Sequence, residues 1–158
     1  MEQTINAVFK NRVERYGDRL AVEKKQAGAW DAATWSQYYD RARAAGLGLY
    51  QLGVEKGDRI GILSENCLEW VYTDMGALGI GAVVVPIYTT LVAEEVRYIV
   101  ENSELKVLLV ENQEQLDKAT EFVDAVESLS TVVCFNDNQA TGHDAVISFS
   151  SLMESGRR

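Results

Sequence analysis

The chain has 158 residues and a formal net charge of −9, and 47% of its residues are hydrophobic. This length allows one domain with its own core, and the composition is typical of a soluble globular protein. The acidic excess argues against nucleic-acid binding and against electrostatic docking on anionic lipid. The first residues are charged, and no apolar run is long enough to cross a bilayer. We therefore expect a cytoplasmic protein without a transmembrane segment.

The first third of the sequence predicts a helix, a β-hairpin and a second helix. These elements cover residues 4–16, residues 20–25 with 29–35, and residues 35 to 49. Gln26-Ala27-Gly28 supplies the hairpin turn, where glycine permits a positive φ. Thr34, followed three residues later by Gln37, is typical of a capping box at the start of the second helix.

From Arg59 onward, strand-like and helix-like segments alternate. Strands are predicted at 59–63, 82–85, 106–110 and 131–135, helices at 67–78, 93–102 and 113–126, and one more strand or turn in the tail 147–158. The run 82–85 is too apolar to be half-exposed, so it predicts a buried parallel strand, which Pro86 ends because proline cannot donate to a sheet ladder. Right-handed crossovers make this pattern an α/β fold with an open, mostly parallel, Rossmann-like sheet and helices on both faces, in one domain over residues 1–158.

The glycines do not form a phosphate-binding loop. The chain lacks GxxxxGK[ST], and the glycine-dense stretch 76–81 has the wrong spacing for GxGxxG and follows a helix instead of a strand. A helix C-cap and close packing explain this stretch. Gly46 and Gly48 lie inside a predicted helix and predict close packing of that helix against the sheet.

The usual reactive side chains also lack a catalytic or metal-binding setting. His143 is the only histidine, and no G-x-S-x-G elbow accompanies it. Cys67 and Cys134 lie far apart without metal-ligand spacing, so we interpret them as buried free thiols. We predict no catalytic residue and no metal ligand in this chain.

In an open α/β sheet, ligands bind at the carboxyl ends of the strands. The segments at those ends are 64–66, 86–90, 111–112 and 136–137. Asn66 is a candidate N-cap for the next helix. Tyr88, Thr89 and Thr90 are rich in hydroxyl groups and are candidates to line a pocket. Thr90 could equally begin the turn before the helix at 93–102.

Three stretches in order resemble the adenylate-forming acyl-CoA synthetase (AMP-binding) superfamily. They are TWSQYYDRARAAGLGLYQLGVEKGDRIGI (34–62), SENCLEWVYTDMGALGIGAVVVPIYTTL (64–91) and EEVRYIVENSELKVLLVEN (94–112). These stretches lie within residues 34–112, and the resemblance as a whole covers nearly the whole chain. The segment PIYTT is similar to the long-chain fatty acid–CoA ligase branch. The resemblance implies the N-terminal subdomain of the acyl-CoA synthetase fold.

The resemblance also implies an activity. A fatty acid reacts with ATP and Mg²⁺ to give acyl-adenylate and pyrophosphate, and coenzyme A then displaces AMP to give the thioester. Tyr88, Thr89 and Thr90 correspond to a segment near the coenzyme A channel in some members, so they are carried over as candidate cofactor-binding channel wall. In some members a basic residue stands at the position of Thr90. Because this chain has a threonine there, a phosphate contact at this position is in doubt.

The family's phosphate loop, of the form TSGTTGxPK, is absent from these residues, as are its later nucleotide motifs and its C-terminal lid. We therefore expect an N-terminal fragment that is inactive alone, binds none of these cofactors tightly and self-associates through surface that the parent would cover. Two alternatives stay open: a naturally short, non-catalytic binding or interaction module, and an adenylating enzyme for another carboxylic acid.

Overall fold

A computed structural model of the chain describes residues 4–26, 28–140 and 142–158. The helices are α1 (Ile5–Tyr16), α2 (Trp35–Gln51), α3 (Leu68–Ile80), α4 (Ala93–Asn102), α5 (Gln113–Thr120) and α6 (Phe149–Arg157). The strands are β1 (Leu20–Gln26), β2 (Ala29–Thr34), β3 (Arg59–Leu63), β4 (Val83–Ile87), β5 (Leu105–Val110), β6 (Thr131–Cys134) and β7 (Val146–Ser148). Ala27 of the predicted hairpin turn lies outside the described residues.

The N-terminal helix, the hairpin and the capping box are confirmed. β1 and β2 pair antiparallel, and Gly28 in the turn has a φ of 85°. At the start of α2, the Gln37 backbone N–H donates to Thr34 Oγ1 at 3.3 Å, and the Thr34 backbone N–H donates to Gln37 Oε1 at 3.0 Å. Each of these bonds satisfies a donor that the end of a helix or strand leaves free.

Five parallel strands form the main sheet in the order β4-β3-β5-β6-β7. Side chains of β5 alternate between two cores, because successive residues of a strand point to opposite faces. Leu108 enters the core beneath α4 and α5, whereas Val107 and Leu109 enter the core beneath α2 and α6. The predicted α/β fold with helices on both faces is therefore confirmed.

Helices α2, α3 and α6 approach one another through glycines. A Cβ atom built on Gly46 would lie 2.5 Å from the Gly76 carbonyl oxygen of α3. A Cβ atom built on Gly48 would lie 2.9 Å from Leu152 Cγ of α6. The prediction that Gly46 and Gly48 pack against the sheet was wrong, because both face neighbouring helices.

β4 differs from its prediction. It is the edge strand, Val83 is 48% exposed, and the strand continues through Pro86 to Ile87. The Val83 N–H donates to the Asp58 carbonyl oxygen, so the alternate residues Val84 and Pro86 turn their backbone away from β3. Pro86 does not end the strand, because an outward-facing edge position needs no N–H donor.

Two other segments also differ from prediction. The helix predicted for 113–126 ends at Thr120, and Val123–Ala125 form a 3₁₀ turn. The chain tightens there because the Phe122 N–H donates to the Ala119 carbonyl oxygen, only three residues back. In the tail, the expected strand is β7, but α6 was not predicted. No helix in the described ranges is long and apolar enough to cross a membrane.

Candidate functional site

A cavity of about 270 Å³ lies at the carboxyl ends of β3 and β4. Its lining consists of Ser64, Glu65, Asn66, Trp70, Pro86, Ile87, Tyr88 and Thr89. Parallel strands end at the same side of the sheet, so the loops after β3 and β4 meet there. We call this space the carboxyl-edge cavity.

The three hydroxyl residues that the sequence singled out occupy different positions around this cavity. Tyr88 lines it with a side chain that is 82% exposed. Thr89 also lines it, and its hydroxyl donates to Glu65 Oε1 at 2.5 Å. Thr90 is exposed and lies in the turn before α4, outside the lining. The structure therefore brings Tyr88 and Thr89 together at the cavity and leaves Thr90 at its side.

Lys118 of α5 forms a hydrogen bond with the segment after β4. Its ammonium donates to the Thr89 carbonyl oxygen at 2.8 Å and to Gln115 Oε1 at 3.0 Å, and it lies 3.5 Å from Glu114 Oε1. The side chain is only 17% exposed. Sequence reasoning missed this residue, because no local pattern joins a lysine to a carbonyl group 29 residues earlier.

A second contact joins the loop after β3 to the end of β5. The Glu65 backbone N–H donates to Glu111 Oε2 at 2.9 Å. Glu65 therefore accepts from Thr89 through its side chain and donates through its backbone. The carboxylates of Glu65 and Glu111 make this side of the cavity acidic.

Cys67, not Asn66, is the N-cap of α3. Its Sγ accepts a hydrogen bond from the Trp70 N–H at 3.4 Å and contacts Ser64 Oγ at 3.5 Å. Burial raises the pKa of the Cys67 thiol, so the thiol stays protonated at neutral pH. Burial also raises the pKa of Cys134 at the end of β6. Both cysteines are free and buried, as the sequence predicted.

His143 lies away from the carboxyl-edge cavity. Its Nε2 is 3.2 Å from Asp124 Oδ2. Asp124 follows α5 and His143 precedes β7, so the pair lies near the amino ends of the strands. Within the described residues, no group of three or more His, Cys, Asp or Glu side chains is placed to hold a metal ion.

Another cavity, of about 350 Å³, lies between α1, α2 and α3. Gly46, Gly76 and Gly79 are among the residues that line it, and Lys10 and Arg43 add positive charge. All of the residues that line this groove lie on these three helices. Since open parallel sheets bind ligands at strand ends, the carboxyl-edge cavity is the better candidate.

Known proteins resemble this chain over nearly its whole length. The family described as AMP-binding enzyme matches residues 9–153. The long-chain-fatty-acid–CoA ligase ACSBG2 of Xenopus laevis is 34% identical over 98% of this chain and 21% of its own length. ACSBG2 of Rattus norvegicus is 35% identical over 97% of this chain and 23% of its own length. The chain thus spans about a fifth of the length of these relatives.

Solved structures share the fold. A putative long-chain-fatty-acid CoA ligase from Rhodopseudomonas palustris has a TM-score of 0.82 at 24% identity, over 96% of this chain and 36% of its own. The anthranilate CoA ligase AuaEII, solved with anthranoyl-AMP, has a TM-score of 0.82 at 23% identity, over 94% of this chain and 27% of its own. With the family match over residues 9–153, the chain belongs to the AMP-binding enzyme family.

Proposed function

We propose that residues 1–158 form the N-terminal subdomain of a long-chain fatty acid–CoA ligase. The observation that supports this most strongly is the similarity of nearly the whole chain to long-chain-fatty-acid–CoA ligases, at 34% identity for the Xenopus laevis relative. The parent protein would convert a fatty acid and ATP to acyl-adenylate and pyrophosphate, and then transfer the acyl group to coenzyme A. This chain would supply scaffold for that reaction.

The residues at the carboxyl-edge cavity do not fit the phosphates of ATP or Mg²⁺. Two carboxylates, Glu65 and Glu111, stand at its side, and the ammonium of Lys118 already faces three acceptors. A phosphate site needs free cationic or backbone donors, and carboxylates oppose it. For Mg²⁺, which favours carboxylate oxygens, the described residues bring together no group of three or more His, Cys, Asp or Glu side chains. We therefore assign neither group, and no step of adenylation, to this chain.

Tyr88, Thr89 and Thr90 are proposed as part of the coenzyme A channel wall. The exposure of Tyr88 and the position of Thr89 at the cavity support this role. Thr90 is the weakest of the three, because it is exposed outside the lining.

The test compares the 158-residue chain with a longer gene product that contains it, which this proposal requires. Each is incubated with ATP, Mg²⁺ and palmitate, and the exchange of labelled pyrophosphate into ATP is measured. We expect exchange, and coenzyme A-dependent palmitoyl thioester formation, only in the longer product. Exchange by the short chain would overturn its assignment as scaffold. A longer product that accepts only amino or aryl acids would overturn the fatty acid assignment, and a gene that ends at Arg158 would favour a binding module.

We also infer that the isolated chain self-associates through the outer side of β4. Val83 at the start of the strand is 48% exposed, and Tyr88 just after its end is 82% exposed. Because Pro86 has no N–H to donate, the contact would rest on apolar side chains more than on strand pairing. Light scattering at rising concentration should detect oligomers, and Val83→Lys should reduce them. A chain that stays monomeric at high concentration would contradict this inference.

A further inference from the structure

Helices α1, α2 and α3 enclose a groove that is apolar at its base and basic at its edge. Its volume is about 350 Å³, within the range of about 300–1,000 Å³ that small-molecule pockets occupy. Its floor consists of the buried residues Ala42, Gly46, Met75 and Gly76, and its walls are the half-buried side chains of Phe9, Leu47 and Ile80. We call this space the three-helix groove.

The three-helix groove is open where glycines replace larger side chains. Gly46 of α2 faces Gly76 of α3, and a Cβ atom built on Gly46 would lie 2.5 Å from the Gly76 carbonyl oxygen. Gly79 also lines the groove, and it is exposed. A Cβ atom built on Gly79 meets no neighbouring atom within 4 Å. A larger residue at position 79 would therefore fit there and would occupy part of the groove.

Two cations stand at the edge of the groove, and none of its lining residues is acidic. Lys10 of α1 and Arg43 of α2 are both exposed lining residues. Lys10 lies 3.9 Å from Glu14, but both side chains are mostly exposed, so this pair is weak. None of the ion pairs among the described residues involves Arg43. The groove therefore favours an anion, although the chain as a whole has a net charge of −9.

An apolar base beneath a cationic edge fits a ligand with two different ends. An alkyl chain that packs against Phe9, Leu47 and Ile80 leaves water, which is favourable. An anionic head binds the ammonium of Lys10 and the guanidinium of Arg43, since both groups donate to carboxylate and phosphate oxygens. A neutral alkyl chain makes only the first set of contacts, and a small anion makes only the second.

We propose that the three-helix groove binds an anionic amphiphile with a single alkyl chain, whose head lies at Lys10 and Arg43. A carboxylate head and a phosphate head share the chemistry that these two cations recognise. The groove is lined by helices alone, away from the ends of the strands, so this binding is separate from the proposed ligase reaction and does not depend on it.

The experiment titrates the 158-residue chain with decanoate, below the concentration at which decanoate forms micelles, and follows backbone amide shifts by NMR. We expect one saturable site with a Kd on the order of 10⁻⁴ to 10⁻³ M, and shifts that centre on Gly46, Gly76 and Gly79. Decanol, which lacks the charge, should bind at least about fivefold more weakly. Acetate, which lacks the chain, should not saturate. Decyl phosphate distinguishes the two heads, because the tighter of the two charged ligands identifies the head that the groove prefers.

A groove-filling variant tests the place of the alkyl chain. Gly79→Leu should raise the Kd for decanoate about tenfold, the effect of losing the burial of about two methylene groups. Gly79→Ala is the matched control, because it adds one methyl group to the same position. We expect its Kd to stay within about threefold of that of the unmodified chain.

Charge variants test the place of the head. Lys10→Gln and Arg43→Gln should each raise the Kd for decanoate about threefold, as expected for exposed ion pairs, and should leave the Kd for decanol unchanged. Arg15→Gln is the matched control, because it removes a positive charge from α1 at a position outside the lining. We expect this control to change the Kd by less than about 1.5-fold.

Several results would overturn the proposal. These are many equal weak sites for decanoate, decanol binding as tight as that of decanoate, an unchanged Kd in Gly79→Leu, or equal losses in Arg43→Gln and Arg15→Gln. Circular dichroism verifies that each variant folds, and the groove-filling and charge variants test the site independently, so either set decides alone. Pyrophosphate exchange is not part of this test, so failure of the ligase assignment and failure of this proposal are distinguishable.

Discussion

The two faces of the main sheet hold their helices in different ways. On one, α2 meets α3 and α6 through glycines, which are Gly46, Gly48, Gly76 and Gly156. On the other, α4 and α5 cover the sheet with larger side chains such as Val96, Val100 and Leu116. We call these the glycine face and the aliphatic face. From this difference we expect that added atoms destabilise the glycine face and that removed atoms destabilise the aliphatic face.

The largest expected loss of stability comes from shortening a buried side chain on the aliphatic face. Leu108 is fully buried there, so Leu108→Ala should lower the free energy of unfolding by about 3 kcal/mol through lost burial and a residual cavity. Urea denaturation measures this loss. Val83→Ala at the half-exposed edge is the control and should cost less than about 1 kcal/mol. Equal losses of unfolding free energy at both positions would contradict the expectation that the aliphatic face is sensitive to removed atoms.

The next effect is an insertion on the glycine face. Gly46→Ala should cost about 2 kcal/mol, because the new methyl carbon would lie 2.5 Å from the Gly76 carbonyl oxygen and push α2 from α3. Gly79→Ala is matched to it, since Gly79 is also helical but has no neighbouring atom within 4 Å of an added Cβ. The free energy of unfolding of that variant should rise by about 0.8 kcal/mol, because alanine has a higher helix propensity than glycine. The same sign for both variants, by denaturant unfolding, would contradict close packing of these helices.

A smaller effect concerns the start of α2, the helix in the middle of the glycine face. Thr34→Ala should cost about 1 kcal/mol, because the Gln37 N–H loses its acceptor. Gln37→Ala removes the reciprocal bond, and a double-mutant cycle measures how far the two bonds depend on each other. Strictly additive losses would show that the two halves of the capping box act separately.

The smallest expected effect on stability concerns Asp58, which lies at the amino end of the sheet, directly before β3. The pKa of the Asp58 carboxyl is lowered, first by the hydrogen bond from the Glu55 N–H and then by Lys106. A lowered folded-state pKa contributes stability above the unfolded pKa near 4, and that stability disappears as pH falls through the folded value. Asp58→Asn should therefore flatten the loss of stability below about pH 4. A slope identical to that of the unmodified chain would contradict this contribution, and NMR titration of Asp58 checks its pKa directly.

Much of the fold follows from sequence because its signals are local. Alternating apolar segments predict the parallel sheet, and the pair of Thr34 with Gln37 predicts the start of α2. The order of strands across the sheet is not local, so the edge position of β4 and the continuation of the strand through Pro86 were missed. The helix partners of Gly46 and Gly48 were missed for the same reason.

The candidate site was predictable to a similar depth. The rule that ligands meet strand ends identified Tyr88 and Thr89, which do line a cavity. It could not identify Lys118, which reaches Thr89 only after α5 folds back along the sheet. The rule also could not predict the hydrogen bond between Thr89 and Glu65, because the two residues follow different strands.

The buried thiols of Cys67 and Cys134 make this chain convenient for site-specific labelling. A maleimide reacts with the thiolate, and burial both raises the pKa of these two groups and shields them from reagent. A cysteine introduced at the exposed position of Tyr88 would therefore take up a fluorophore or spin label selectively, without prior removal of the native cysteines. The segment 88–90 could then be followed spectroscopically in an otherwise natural sequence.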